Sequence, residues 1–478
     1  MTLKTKATSG FIWNAVERFS VTIGHFVIGI VLARLLMPED FGLIGMLSIF
    51  IAFSQVFIES GMGSGLIQKQ DRTDKDYSTV FIFNLAVSLI CYGILYLTAP
   101  FISDFYEMPR LTLLTRVLGL NLIFISLVVV QRTKLEIEVN FKTLARVNII
   151  GLILGGGLAI AAALYDFGVW ALVIQTLSIS LFTAVGLWSL GNWRLSFTFS
   201  KDSFKKLFGY GSKLLIAGIY SKSLQEIYNL VIGKVYSASD LGYFTQAKMM
   251  STKPAGIISS ILQKVSFPIL SSLQNDKKKL VHVYSKMIRM AAFITFPSMV
   301  LLAILAKPLI IVVLTEKWLP VVPLLQWLCL ARIVTPISIV NMNILNAIGR
   351  SDLFLKVDLF KFPLIVLALI ITIPIGLEAI VIGQVITSLI SFFINAYLPG
   401  KIFGYGPIKQ IKDISNIILA TLIMSVFVFF IIKFIDNDVL KICSGLLVGM
   451  CIYIFIAYLL KSDELREIWK IISNKRQK

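Results

Sequence analysis

Apolar residues occur along this chain in long unbroken blocks, not in alternation with polar ones. Leu, Ile, Val and Phe fill stretches of about 20 residues, the length a helix needs to cross the hydrocarbon of a bilayer. Fourteen stretches are predicted as membrane-spanning helices: 11–33, 41–66, 79–100, 111–131, 147–165, 169–190, 213–235, 241–270, 291–313, 322–345, 362–376, 378–398, 414–435 and 442–460. A membrane β-barrel would show segments of about ten alternating residues, and these runs do not alternate. At about 20 residues each the spans use roughly 280 residues. The connections are then short, and no room is left for a folded domain outside the membrane. Residues 11–33 are longer than the apolar core of a cleavable leader and lack a small-residue cleavage site, so they are predicted as the first span.

Composition strengthens this picture. Of 478 residues 57% are hydrophobic and only 15% are charged, and the mean hydropathy is +0.85. A soluble surface needs about a quarter of residues charged; the surplus apolar area here must face lipid. Disorder is excluded by the high hydrophobicity. The cysteines Cys91, Cys329, Cys443 and Cys451 all sit in apolar runs, where a thiol behaves as a small hydrophobe. With His25 and His282 the only histidines, no zinc spacing exists. The net charge of +19 fits basic cytoplasmic loops better than nucleic-acid binding.

Most Lys and Arg residues fall in one set of loops. These hold Lys4 and Lys6, Lys69, Arg72 and Lys75, Arg132 to Arg146, Arg194 to Lys213, Lys277 to Arg289, Arg350 to Lys361, Lys401 to Lys412, and the basic tail. The opposite loops carry few, among them Arg34, Arg110, Lys317 and Lys441. The asymmetry predicts both termini in the cytoplasm and an even number of spans. Two polar segments are amphipathic. Phe204, Leu207 and Phe208 lie among Lys201, Lys205 and Lys206; Leu465, Ile468, Trp469 and Ile472 share a face near Lys470, Lys475 and Arg476. Both fit helices lying on an anionic leaflet, and a solvated tail is the simpler alternative for the second.

An internal repeat divides the chain. Val27-Ile28-Gly29 returns as Val231-Ile232-Gly233, and the same offset maps Arg18 onto Lys222 and His25 onto Asn229. Pro38-Glu39-Asp40-Phe41-Gly42 resembles Ser239-Asp240-Leu241-Gly242, so the turn after span 1 matches the turn after span 7. Both spans start on the same side, which makes the repeat parallel, a transporter design. The expected organisation is an N-terminal lobe of spans 1–6 (residues 1–199), a C-terminal lobe of spans 7–12 (200–400), and spans 13–14 with a basic tail (401–478).

Ionisable groups inside spans cost about 2.5–3.5 kcal/mol each on insertion scales and are kept where a cavity or a partner needs them. Span 1 carries Glu17, Arg18 and His25; span 7 carries Lys222, Glu226 and Asn229; span 8 carries Lys248 and Lys253, the latter beside the kink-forming Pro254. Glu59 lies in span 2, Arg116 near the start of span 4 and Arg332 in span 10. Arg18, His25, Lys222, Lys248, Lys253 and Arg332 are candidates to line a wet cationic cavity that suits an anionic headgroup. Glu17, Glu59 and Glu226 are candidates for binding a coupling proton or sodium ion, as is His25. Each charge also has a plain explanation: Lys222 can pair with Glu226 at i,i+4, Glu17 with a basic neighbour, and Arg116, Lys213 and Lys264 can snorkel.

Other motifs carry no chemistry. Gly61-Met62-Gly63-Ser64-Gly65 ends an apolar span with no strand before it, so the dinucleotide-binding context fails. Gly151, Gly155, Gly156 and Gly157 form a small-residue patch for close helix approach. No Walker lysine or nucleophile elbow is present; no cofactor or catalytic residue is expected, and any driving energy comes from gradients, membrane potential or downstream consumption.

Leu32-Ala33-Arg34-Leu35-Leu36-Met37-Pro38-Glu39-Asp40-Phe41-Gly42 resembles the opening signature of the Wzx-type polysaccharide flippases, in the WzxC and teichuronic-acid exporter branch. Phe208-Gly209-Tyr210-Gly211, Ser239-Asp240-Leu241-Gly242-Tyr243-Phe244 and Phe267-Pro268 resemble it too. The resemblance runs over roughly residues 5–460 and marks the family better than the cargo. It implies the multidrug/oligosaccharidyl-lipid/polysaccharide exporter superfamily, an all-α fold of two six-helix lobes forming a V with two further C-terminal helices. It further implies a flippase that carries an undecaprenyl-pyrophosphate-linked oligosaccharide across the bacterial cytoplasmic membrane for polysaccharide biosynthesis, with membrane lipids and polymerase machinery as partners. By position Arg18, Lys248 and Lys253 would hold the pyrophosphate, and Lys222 joins them through the repeat. Rival readings are a cation-coupled multidrug exporter, which would favour an acidic aromatic cavity, and a lipid II flippase. A glycan polymerase would need a large outer loop, which the spacing of spans does not allow.

Overall fold

The computed structural model describes residues 3–475 except positions 60 and 192. The side chains of Lys4, Lys6, Ile472, Lys475 and Arg476 lie outside the described residues. Among those described, every regular element is helical. The chain packs as two compact units, Met1–Gly242 and Tyr243–Lys478.

The first unit contains α1 (Leu3–Leu35), α2 (Pro38–Glu59), α3 (Met62–Gln68), α4 (Asp74–Tyr106), α5 (Arg110–Gly119), α6 (Asn121–Ile137), α7 (Phe141–Leu164), α8 (Val169–Leu190) and α9 (Lys201–Val235). Its last residues open α10 (Ala238–Ser272), which continues into the second unit. The second unit adds α11 (Lys277–Ile304), α12 (Ala306–Leu314), α13 (Val321–Arg332), α14 (Thr335–Ala347), α15 (Ser351–Thr372) and α16 (Leu377–Phe403). It ends with α17 (Pro407–Asp413), α18 (Ser415–Lys433), α19 (Asp438–Leu459) and α20 (Asp463–Lys475).

The expected spans lie largely on helix among the described residues, several of them on two consecutive helices, and 362–376 runs past the end of α15 at Thr372. Eleven stretches among the described residues are long and apolar enough to cross a membrane by length and composition. The other three, 213–235, 241–270 and 362–376, lie on α9, α10 and α15. These helices carry charges in or beside the apolar run, such as Lys222 and Glu226, Lys248 and Lys253, and the Lys361–Asp358 ion pair at 2.6 Å. The helix starts are locally encoded. Asp276, Asn140, Ser200 and Asn437 each accept backbone N–H bonds in the first turn of α11, α7, α9 and α19, supplying acceptors that the helix itself cannot provide. Thr73 and Asp76 form a reciprocal capping box on α4.

Small residues set the helix spacing. A Cβ at Gly155 would lie 2.5 Å from Ile179 of α8, and one at Gly156 would lie 2.2 Å from Ile28 of α1. The α7 glycine patch is therefore a two-sided packing seam. The sequence repeat also becomes a structural one. Asp40 accepts the Met37 N–H at 2.9 Å and Asp240 accepts the Ser237 N–H at 3.2 Å, capping α2 and α10 alike. Two residues on, a Cβ at Gly42 would lie 1.7 Å from the Ala238 carbonyl oxygen, and a Cβ at Gly242 would lie 1.9 Å from that of Pro38. The two opening turns cross backbone to backbone in a reciprocal contact that only glycine allows.

The amphipathic segments do not meet lipid with their whole apolar face. Leu207 is buried, and Phe204 and Phe208 pack beside it on the core of the first unit; Lys201, Lys205 and Lys206 are exposed. In the tail, Leu465 and Ile468 pack on the core of the second unit while Trp469 stays exposed. Lys286–Glu467 at 2.6 Å and Arg289–Glu464 at 3.1 Å hold α20 there.

Candidate functional site

A cavity of about 680 Å³ opens in the first unit. Its lining comes from α1, α2, α3, α6, α7, α8 and α9. On α2 and α7 the lining residues lie near the ends joined to basic loops, and on α1, α8 and α9 they lie near the middle of the helix. Aliphatic side chains form much of the wall. Set among them are Glu17, His25, Glu59, Arg132, Glu136 and Lys222, with Gln55, Asn148, Ser180 and Thr183.

Helical periodicity explains how these groups converge. Arg132 and Glu136 are one turn apart on the last stretch of α6, and Gln55 and Glu59 are one turn apart on α2. Glu17 is fixed by the Asn148 amide, which donates to its Oε1 at 2.6 Å. The charges acting on Glu136 are Arg132, Glu17 and Arg18. Arg18 is exposed and is not part of the wall.

Glu226 does not face this cavity. It accepts from Ser48 Oγ at 2.9 Å and from Asn229 Nδ2 at 2.7 Å, and Asn229 also donates to Ser48 at 3.1 Å. The expected Lys222–Glu226 pairing is therefore replaced by a link from α9 to α2, and Lys222 is left to the cavity. Glu17 likewise takes an amide where a basic neighbour was expected. Arg116 lies over the Tyr96 ring at 4.4 Å.

Lys248, Lys253 and Arg332 belong to the second unit. Arg332 ends α13 where the helix is interrupted before α14. Sequence reasoning placed Arg132 in a loop and did not single out Glu136. Both lie on α6, which continues to Ile137 beyond the expected end of the span. The signal was present: Gln131 and Leu135, one turn apart, are buried, while Arg132 and Glu136 keep an i,i+4 register on another face and line the cavity with Thr133.

The cavity can thus hold a polar group in a mixed field: two permanent cations, three carboxylates, an imidazole, and hydroxyls and amides able to bond sugar oxygens. Ionisable groups gathered around a hollow inside a helical membrane unit are the mark of a substrate or ion site.

Residues 31–323 match the sequence profile of the family described as polysaccharide biosynthesis protein. This chain belongs to that family. Among its relatives, the teichuronic acid biosynthesis protein TuaB of Bacillus subtilis (strain 168) is 25% identical over 88% of each chain. The lipopolysaccharide biosynthesis protein WzxC of Escherichia coli (strain K12) is 22% identical over 82% of each. The fold is similar to that of lipid II flippase MurJ in an inward closed conformation, with a TM-score of 0.78 and 18% identity over 95% of this chain and 99% of the other. The family member described here is a multi-pass membrane protein.

Proposed function

We propose that this protein is a flippase that moves a polyprenyl-pyrophosphate-linked oligosaccharide repeat unit from the cytoplasmic to the outer leaflet by alternating access. The observation that carries this reading is the polar, charged hollow inside a helical unit otherwise built to face lipid. A sugar chain cannot cross about 30 Å of hydrocarbon unaided, because its hydroxyls would lose their hydrogen bonds to water. Arg132 and Lys222 take the pyrophosphate, Arg132 bidentately and Lys222 as a point charge. Gln55, Asn148, Ser180 and Thr183 receive the first sugars, and His25 adds charge when protonated. Glu17 and Glu59 are the candidates for ion coupling from the cavity wall, and Glu226 from its bonded position on α9. Arg18 is a further basic candidate on α1, and Lys248, Lys253 and Arg332 are the basic candidates of the second unit. The polyprenyl tail stays in the bilayer. In this reading the lobes are 1–199 and 200–400, with 401–478 appended, the chain crosses a bacterial inner membrane fourteen times with both termini on the basic, cytoplasmic side, and polymerase machinery receives the product.

A gene deletion with two readouts, surface glycan and lipid-linked intermediates, tests this. Loss of polymer with intermediates stranded on the cytoplasmic leaflet is expected. Restoration by the wild-type chain and by Lys222→Arg, but not by Lys222→Glu present at normal level, is expected as well. Unchanged glycan in the deletion, with new sensitivity to organic cations, would overturn the reading.

A further inference from the structure

The second unit contains a separate cavity of about 800 Å³, within the roughly 300–1,000 Å³ range of ligand sites. It is formed where α11 meets α12, by the first turns of α13, α16 and α19, and by the last turns of α18. All of these lie at the end of the unit remote from the basic loops. Val300, Ile304, Leu330, Val426, Phe429 and Phe430 make its floor, and Phe429 and Phe430 remain more than half exposed, at 58% and 56%. In a bilayer an acyl chain fills such a trough.

The rim is polar, and its charges sort themselves. Lys441 is neutralised by Asp438 at 3.0 Å. Gln326 donates to the Ala303 carbonyl at 3.2 Å. Trp327 Nε1 donates to Glu378 Oε1 at 2.9 Å, which orients the carboxylate and leaves Oε2 open. Two exposed charges of opposite sign on this rim, Lys307 and Glu378, form no ion pair among the described residues. One cation and one carboxylate over an apolar trough complement a zwitterion that carries both a phosphate and a hydrogen-bonding ammonium. An anionic glycerol headgroup offers Glu378 only neutral hydroxyl donors and no cation, and a quaternary choline offers it a charge but no N–H.

We propose that this cavity binds a phosphatidylethanolamine-type lipid, with its acyl chain on Phe429 and Phe430, its phosphate at Lys307 and its primary ammonium at Glu378. The site is distinct from the cargo cavity and depends only on the chain residing in a membrane.

Native mass spectrometry of the full-length protein, incubated with equimolar phosphatidylethanolamine, phosphatidylcholine and phosphatidylglycerol of matched chains, tests it. The ethanolamine lipid is expected to be retained about two- to fivefold over the others, as fits one partly screened ion pair. Glu378→Gln keeps an acceptor for Trp327 and should remove that preference alone. Lys307→Ala should lower retention of all three lipids. Equal retention by the wild type, preference for phosphatidylglycerol, or a preference that survives Glu378→Gln would overturn the proposal.

Discussion

The reciprocal crossing of α2 and α10 makes a quantitative demand on Gly42. An alanine there would put its Cβ 1.7 Å from the Ala238 carbonyl oxygen. The closest comfortable C···O separation is about 3.3 Å, so the two opening turns must part by roughly 1.6 Å. The listening partner is backbone, which cannot rotate away as a side chain could. Overpacking of this kind costs about 1–3 kcal/mol, set against the roughly 1 kcal/mol that alanine gains over glycine in helix propensity, and a backbone clash this close puts the cost at the upper end. In a unit of this size each kcal/mol lowers the unfolding midpoint by roughly 2–4 °C. Gly242→Ala, with its Cβ 1.9 Å from the Pro38 oxygen, should behave alike. Once one methyl has pried the turns apart the second has little left to displace, so the double variant should lose much less than the sum. Gly93→Ala is the control, since nothing lies within 4 Å of its Cβ; it should be neutral or slightly stabilising. Thermal unfolding of the purified protein in detergent, followed by intrinsic fluorescence, reads all four variants. A Gly42→Ala midpoint equal to that of Gly93→Ala, or strict additivity in the double variant, would refute the crossing.

Three further outcomes follow from the same geometry. Asp76 is fully buried and accepts from Lys69 at 2.7 Å and from the Thr73 N–H at 2.7 Å; Asp76→Ala removes both and should cost about 3 kcal/mol, read as a lowered unfolding midpoint, with Asp76→Asn losing less. Gln410 donates to Asn341, Tyr284 and the Tyr405 carbonyl at 3.0, 3.1 and 3.2 Å; Gln410→Leu strands buried partners at about 1–3 kcal/mol each and should lower the midpoint of the same transition. Glu107, whose carboxyl is held below its ordinary range by a hydrogen bond from Lys234 at 2.9 Å, is fully exposed. A lowered folded-state value means its contribution is present above the free-carboxylate range and fades as pH falls through the folded value; at neutral pH, Glu107→Gln should leave the midpoint unchanged within error because water screens the pair.

The spans were legible because hydrocarbon imposes a length and a composition on any helix that crosses it. What could not be read locally was partnership. Lys222 and Glu226 have the spacing of an ion pair, yet Glu226 bonds Ser48, which lies 178 residues away. No local pattern reports that distance. The same holds for the tail: Leu465 and Ile468 show the periodicity of a membrane-surface helix, but Glu464 and Glu467 find Arg289 and Lys286 and turn that face onto protein. The apolar run stops before Arg132 and predicts a loop there, while the helix goes on as far as Ile137. The repeat was visible in Asp40-Phe41-Gly42 and Asp240-Leu241-Gly242, though its meaning was not. That the two glycines meet each other's helix is a fact of three dimensions.

The charge balance of the first cavity bears on how a flippase can release its cargo. A hollow lined by cations alone would bind a pyrophosphate tightly and repel itself when empty, since unit charges about 4 Å apart interact by about 4 kcal/mol at an effective dielectric of 20. Carboxylates remove that penalty. With Glu17, Glu59 and Glu136 lining the same cavity as Arg132 and Lys222, the carboxylates outnumber the two cations by one and offset their mutual repulsion. An arriving phosphate must then compete with resident carboxylates for the same guanidinium and ammonium, which weakens the bound state and eases departure. The amide of Asn148 holds Glu17 in place without spending a cation on it, leaving Arg132 and Lys222 to the contest. In the proposed function, a mixed wall gives anion binding a counterweight that a purely basic one lacks.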